Sequence, residues 1–246
     1  MTIEYIILLS AIQGMTEFLP VSSSAHLALL PTLAAVADQG RFTDVAAHVG
    51  SLLAVMWHYR ARVASLLMFE DLKLMWRLVL SFLPVVALGL FINPPRSVTI
   101  IAVNLIVFGI ILWLADKYGK AKSEVTPLTA LGAGFAQVVA LIPGVSRSGI
   151  TISAMRARGV GRSKAVDFAF LMSMPAIAAA GAWDLLGALK GYEAIDWTAT
   201  GLTVFFSCIF SLFAIRFIIA FAKKFSFAWF AAYRIALGAA LLFFFV

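Results

Sequence analysis

The stretch EFLPVSSSAH at residues 17–26 places a carboxylate, three consecutive hydroxyls and an imidazole within ten residues. A second stretch, PGVSRSG at 143–149, sets Ser146 and Ser148 around Arg147 and ends on Gly149. Glu17 lies four residues after Gln13, on one face of a helix if the segment is helical. A carboxylate there reads as a base or as an oxygen ligand for a metal ion. The blander alternative is a structural partner for Arg147. His26 reads as a base or nucleophile beside Glu17 and the serines, or as a packed or capping residue. Arg147 carries a planar fork suited to bidentate grip on phosphate oxygens.

Serine-rich tips that open into short helices suit the same anion. Free N–H groups at a helix start bind phosphate, and two such starts in one cavity suit a ligand with two phosphates. Ser24 and Ser148 are the expected N-caps. Ser22, Ser146 and Gly149 complete the two tips, Val21–Ala25 and Val145–Gly149, as substrate-binding positions. Phosphoryl transfer needs an in-line nucleophile, clamps for developing charge and usually a divalent cation. Ser23 or His26 could attack, with Glu17 as base or metal ligand and Arg147 plus the tip N–H groups as clamp. These residues support binding of a diphosphate; they do not by themselves say that a bond breaks.

The elements that must position them are membrane helices. The chain has 246 residues, of which 63% are hydrophobic and only 13% charged, with a mean hydropathy of +1.00. A soluble domain of this size could not cover so much apolar surface. Apolar runs at 43–58, 74–92, 98–116, 165–188, 197–221 and 228–246 are expected to cross a bilayer. Two further stretches, 3–37 and 127–157, are apolar but broken by Pro and a Ser/Gly cluster. Each half is too short for a ~30 Å hydrocarbon core, so both are expected to be re-entrant hairpins.

Charge supports that topology. If both hairpins return to the side they entered from, thirteen Lys and Arg residues, from Arg60 to Lys224, fall on one face. Only Arg41, Arg96 and Lys190 fall on the other. The positive-inside rule puts the basic face in the cytoplasm and both termini outside. It also accounts for the net charge of +7 without nucleic acid, and no interleaved basic and aromatic run suggests a nucleic-acid partner. The N-terminus does not read as a secretory signal, since no Lys or Arg precedes Arg41. The single cysteine, Cys208, excludes an intramolecular disulfide.

The two broken stretches also resemble each other. QGMTEFLPVSSSA at 13–25 and QVVALIPGVSRSG at 137–149 align at an offset of 124 residues, Gln on Gln and V-S-x-S on V-S-x-S. One hairpin and three spans per half, an odd number of crossings, make this an inverted-topology repeat of residues 1–122 and 123–246. The expected fold is therefore an all-α integral membrane protein, with six transmembrane helices and two re-entrant helix hairpins whose tips meet near the midplane. Asp44, His48 and Asp167, near the starts of neighbouring spans, either support the site or serve their helix dipoles. The aromatic tail, FAWFAAY and LLFFFV, reads as lipid-facing surface. Inverted repeats of this kind also build secondary transporters, so a polyprenyl-phosphate flippase using the same cavity is the alternative to an enzyme.

QGMTEFLPVSSSAH at 13–26 and PGVSRSGITIS at 143–153 resemble the two signatures of the undecaprenyl-diphosphate phosphatase family, the bacitracin-resistance proteins. FTDVAAHVGSLLAV at 42–55 is similar to a third family segment. The resemblance implies a bacterial inner-membrane hydrolase with a site open to the periplasm. It would act with Mg²⁺ or Ca²⁺ and convert undecaprenyl diphosphate to undecaprenyl phosphate for cell-wall synthesis. It places the family's acidic pair on Gln13 and Glu17, its serine on Ser23, its histidine on His26 and its arginine on Arg147. Gln13 departs from the glutamate of the family's best-known form. Its carbonyl oxygen can still ligate a cation, but the amide cannot act as a base. A homodimer is left open.

Overall fold

The computed structural model describes residues 2–34, 40–92, 97–121, 123–190 and 196–245. Residues 35–37 of the first expected hairpin, Arg96 and Lys122 of the charge count, and Val246 lie outside the described residues. Eleven α-helices follow in chain order among them. They are α1 (Ile3–Phe18), α2 (Ser23–Ala34), α3 (Arg41–His58), α4 (Arg60–Leu67), α5 (Leu72–Leu88), α6 (Val98–Tyr118), α7 (Pro127–Val139), α8 (Arg147–Ala157), α9 (Arg162–Lys190), α10 (Trp197–Lys224) and α11 (Ala228–Phe245).

Side-chain caps start several of these helices where the sequence changes from polar to apolar. Asp71 accepts from Leu74 N at 2.9 Å, Ser97 from Ile100 N at 3.2 Å, and Thr126 from Thr129 N at 3.1 Å ahead of Pro127. Asp196 accepts from Thr198 N and Ala199 N at 3.1 and 3.0 Å. Each cap satisfies donors that have no partner inside the helix.

Four helices are long and apolar enough to cross a membrane: α6, α9 as far as Gly187, α10 and α11. The two other expected spans, α3 and α5, are not among these four. Arg41, Asp44, His48 and His58 dilute the hydropathy of α3, and α5 is 17 residues long. α4, a short helix carrying Arg60 and Arg62, had no counterpart in the sequence reading.

Small residues bring the long helices together. α10 presents Thr203, Ser207, Ser211 and Ala214, all buried, along one face. Gly14 of α1 and Gly50 of α3 both lie against it. A Cβ on Gly14 would meet Ser207 O at 2.8 Å, and one on Gly50 would meet Val204 O at 2.4 Å. Without a hydrophobic drive between helices in lipid, such close backbone approach supplies much of the attraction. Ser211 Oγ adds a hydrogen bond to Ser51 Oγ at 3.0 Å. α7 packs on α5 in the same manner, with Gly134 against Ser81 O. α1 thus lies on α10 of the other half, and α7 lies on α5 of the other half. α6 and α11 pair closely at Gly109 and Gly238.

The largest core cluster, with Phe18, Ile152, Leu171, Met172 and Ile218 among its members, fills the space where α1, α8, α9 and α10 converge. Phe18 meets Phe170 edge to face at 5.1 Å, which fixes the end of α1 and the residue before it, Glu17. Elsewhere a buried carboxylate, Asp116, ties four elements. Arg156 Nε and Arg162 Nε donate to its Oδ1 at 3.0 and 2.7 Å, and Ser226 Oγ and Phe227 N donate to its Oδ2 at 2.7 and 3.0 Å. Trp57, Phe213, Trp229, Phe243 and Phe244 are exposed, as lipid-facing residues must be.

Gly50→Ala is expected to destabilise the fold by about 1–3 kcal/mol or more, because the methyl group has only backbone to displace. Gly201→Ala, which meets nothing within 4 Å on the exposed start of α10, should be neutral or gain up to about 1 kcal/mol. Thermal unfolding of both variants in detergent checks the contrast.

Candidate active site at the facing helix starts

Two tight turns build the site. α1 ends at Phe18, Leu19 is extended, and α2 begins at Ser23. α7 ends at Val139 and α8 begins at Arg147. Ser22 and Ser146, one residue before their helices, hold φ of 79° and 69°. That left-handed region costs a non-glycine residue about 1–3 kcal/mol. Local bonds offset part of it: Ser146 Oγ accepts from Gly149 N at 3.2 Å, and Ser22 and Ser146 share hydrogen bonds with Ser24 and Ser148 at 3.2 and 3.3 Å. The cap of α8 is therefore Ser146, not Ser148. Ser148 is instead the second residue of its helix, and its hydroxyl donates across to Leu19 O at 3.0 Å. Ser24 occupies the matching position in α2 and is exposed. With Ser146 at positive φ, the cap of α8 lies two residues upstream of the expected position.

Glu17 is the hub. Arg147 Nη2 donates to its Oε1, an ion pair between the end of α1 and the start of α8. Arg147 Nη1 donates to Ser173 O of α9 at 3.1 Å. Ser23 Oγ donates to Glu17 Oε2 at 2.7 Å and Gln13 Nε2 to the same oxygen at 3.0 Å. His48 Nε2 stands 3.9 Å from Oε2, so α3 also reaches the carboxylate directly. His48 Nδ1 donates to the carbonyl of Asp44 at 2.8 Å. Asp167 is engaged by Tyr59, whose phenol donates to Oδ1 at 2.7 Å. The Glu17 side chain is 5% exposed and that of Arg147 18%. The carboxylate is buried, while the guanidinium is partly exposed.

His26 lies beyond this hub. Its Nδ1 is 2.7 Å from Ser22 O and its Nε2 is 2.7 Å from Tyr233 Oη. Tyr233 ends the FAWFAAY stretch that the sequence assigns to lipid, and Arg234 follows it; the structure does not leave this stretch to lipid throughout. Phe227 is fully buried, Tyr233 reaches His26, and Arg234 is fully buried. Arg234 Nη2 donates to Gly144 O and Val145 O at 2.9 and 2.8 Å, and its Nη1 to Pro20 O at 3.4 Å. One guanidinium thus ties the backbones of both turns. The signal was available: a cation inside an eighteen-residue apolar helix is costly unless it meets polar groups within the protein.

Gln13 Oε1 is buried without a hydrogen-bond partner, beside the Glu17 carboxylate. Gln13 Oε1, Glu17 and Ser23 Oγ are oxygen donors of the kind a hard cation takes. Among the described residues no cluster of three or more His, Cys, Asp or Glu could hold a metal on its own. The donor set therefore fits a cation whose shell is completed by phosphate oxygens and water.

Fold and site together define a polytopic helical membrane protein with a buried ion pair, Glu17–Arg147, between the end of one short helix and the start of another. The family model for the bacitracin resistance protein BacA matches residues 6–240, and the chain belongs to that family. An undecaprenyl-diphosphatase of Campylobacter curvus is 39% identical over the whole of both chains. One of Alcanivorax borkumensis is 40% identical over 96% of this chain and 97% of its own. Undecaprenyl-diphosphatase 2 of Stutzerimonas stutzeri is 40% identical over 98% of each.

Arg234→Met should lower stability by several kcal/mol, at about 1–3 kcal/mol for each buried group left unpaired, since the carbonyls of Pro20, Asn104, Leu105, Gly144 and Val145 all lose a donor. Arg234→Lys, which keeps the charge but cannot span the turns, should recover part of the loss. Unfolding midpoints of the purified variants give the comparison.

Proposed function

We propose that this protein hydrolyses undecaprenyl diphosphate to undecaprenyl phosphate and inorganic phosphate, and so recycles the lipid carrier of cell-wall synthesis. Family membership and the printed names of the relatives support the reaction. The observation that carries it is the double engagement of Glu17, which accepts the Ser23 hydroxyl on one oxygen and Arg147 on the other. A nucleophile hydrogen-bonded to a carboxylate, with a phosphate clamp alongside, is what displacement at phosphorus requires. A transport site would need the clamp but not the Ser23–Glu17 pair.

The substrate's phosphates take over Arg147 from Glu17 Oε1 and meet the N–H groups at the starts of α2 and α8. Ser23 Oγ, its proton passing to Glu17, attacks the terminal phosphorus in line. The bridging P–O bond breaks, and undecaprenyl phosphate leaves with that oxygen. Water then attacks the phosphoserine, a base takes the water proton, and inorganic phosphate is released as Ser23 regains its hydrogen. His26 is the base for this second step. Gln13, Glu17 and Ser23 would hold the Mg²⁺ or Ca²⁺, which neutralises charge on the phosphate oxygens when bound.

The architecture we infer for this reaction has six crossings, α3, α5, α6, α9, α10 and α11, and two re-entrant hairpins, α1–α2 and α7–α8. Helices of 13 and 11 residues in the second hairpin span about 20 and 17 Å at ~1.5 Å per residue, short of the bilayer core. The exchange of packing between halves, α1 on α10 and α7 on α5, supports the inverted repeat. With the basic face cytoplasmic, both termini and the site face the periplasm of a bacterial inner membrane.

In detergent with undecaprenyl diphosphate, Arg147→Ala should reduce phosphate release by ~10²–10³, and a chelator should suppress the wild-type rate. Normal release from Arg147→Ala would end the assignment. Labelled substrate quenched in acid should leave phosphate on wild type and on His26→Ala, and none on Ser23→Ala. Label that persists on Ser23→Ala would transfer the nucleophile's role elsewhere.

A further inference from the structure

His26 is held at both ring nitrogens, and the chemistry of the two partners decides which nitrogen carries the proton. Ser22 O is a carbonyl and can only accept, so Nδ1, 2.7 Å away, is the N–H. In the neutral ring Nε2 is then a bare lone pair, and the hydroxyl 2.7 Å from it, that of Tyr233, must donate. The two rings lie nearly parallel, 7° apart with centroids 5.8 Å apart, so the phenol also limits imidazole rotation. Tyr233 follows on α11 from the helix start that Asp116 anchors, and its neighbour Arg234 is fixed by the carbonyls of both turns. The phenol is therefore placed by a rigid support. It is also 46% exposed.

We propose that Tyr233 is a positioning residue for the reaction: Ser22 O sets the tautomer of His26, and the phenol holds the ring at its other end, so that the Nε2 lone pair stays on the Tyr233 side, where the second-step water must sit. This rests on the phosphatase reading given above. The device has the same logic as a base oriented by a third group: one nitrogen pinned by an acceptor, the other kept as a lone pair. Tyr233 donates to Nε2 in the resting site. The water enters between the two groups, accepting from the phenol hydroxyl and donating to Nε2. Loss of the hydroxyl leaves the Nε2 end of the imidazole unheld, so the ring can rock about its Nδ1–H bond to Ser22 O. Turnover suffers more than binding, because the phosphate clamp is Arg147 and the helix starts.

The test is Tyr233→Phe, which keeps the ring and removes one oxygen at a half-exposed position. With undecaprenyl diphosphate, kcat should fall about tenfold, by analogy with the ~10²–10⁴ attributed to a positioned base, while KM stays within about twofold. Nitrogen-15 spectra of histidine-labelled protein should show the His26 Nε2 resonance displaced in the variant and the unfolding midpoint unchanged. Unchanged kcat would overturn the proposal. So would a fall in kcat with the Nε2 resonance left where wild type has it, since the effect would then come through the fold. Absence of phosphate release from wild type would instead sink the phosphatase reading, and the Nε2 resonance would still report the Tyr233–His26 contact.

Discussion

An ionised carboxylate enclosed by helices in a bilayer persists only with its counter-charge at hand. Desolvation costs each ion several kcal/mol, and only close pairing with further hydrogen bonds offsets it. Glu17 and Arg147 meet this condition across the contact between two separate turns. The ion pair therefore fixes where α8 stands relative to α1. Much else follows from it: the Ser23 hydroxyl reaches the carboxylate, Ser148 reaches Leu19, and His48 of α3 closes in from a third side. The surrounding core of Phe18, Phe170 and Ile152 keeps water out and strengthens the interaction.

The helices were legible because hydropathy and length are strong signals. The six expected apolar runs correspond to α3, α5, α6, α9, α10 and α11, with ends displaced by a few residues. The cluster of Gln13, Glu17, Ser23 and Arg147, which the structure brings together, was legible because polar groups are rare enough in such a chain to stand out. What was not legible depends on backbone geometry. Ser22 and Ser146 take a positive φ that sequence does not announce in a serine, and this moved the cap from Ser148 to Ser146. His48 was expected at a remove and lies within 3.9 Å of the carboxylate, because the close approach of α3 to α10 at Gly50 depends on tertiary packing.

Tyr233 and Arg234 were not legible for a different reason. The aromatic composition of the last helix pointed to lipid, and for Trp229, Phe243 and Phe244 that was correct. Composition averages over a helix, whereas a helix has faces. Arg234 alone carried the contrary message, since a guanidinium cannot face hydrocarbon and must find acceptors inside. It found them in the carbonyls that the turns leave without helical partners. The expense of those turns and the expense of a buried cation thus cancel against each other.

The offset of 124 residues that aligns the two turns also shows how they differ. Ser22 aligns with Ser146, and Pro20 with Gly144, and in each pair both residues do the same thing: they shape the turn or accept from Arg234. Glu17 aligns with Leu141, Ser23 with Arg147 and His26 with Ile150, and here the chemistry is split. Charge explains the split. Two carboxylates facing each other at the contact would repel, as would two guanidinia, and neither pair could be buried. One carboxylate in one half and one guanidinium in the other give a neutral pair that can be buried. Likeness in backbone builds the two turns, and unlikeness at three positions sets the ionisable groups between them.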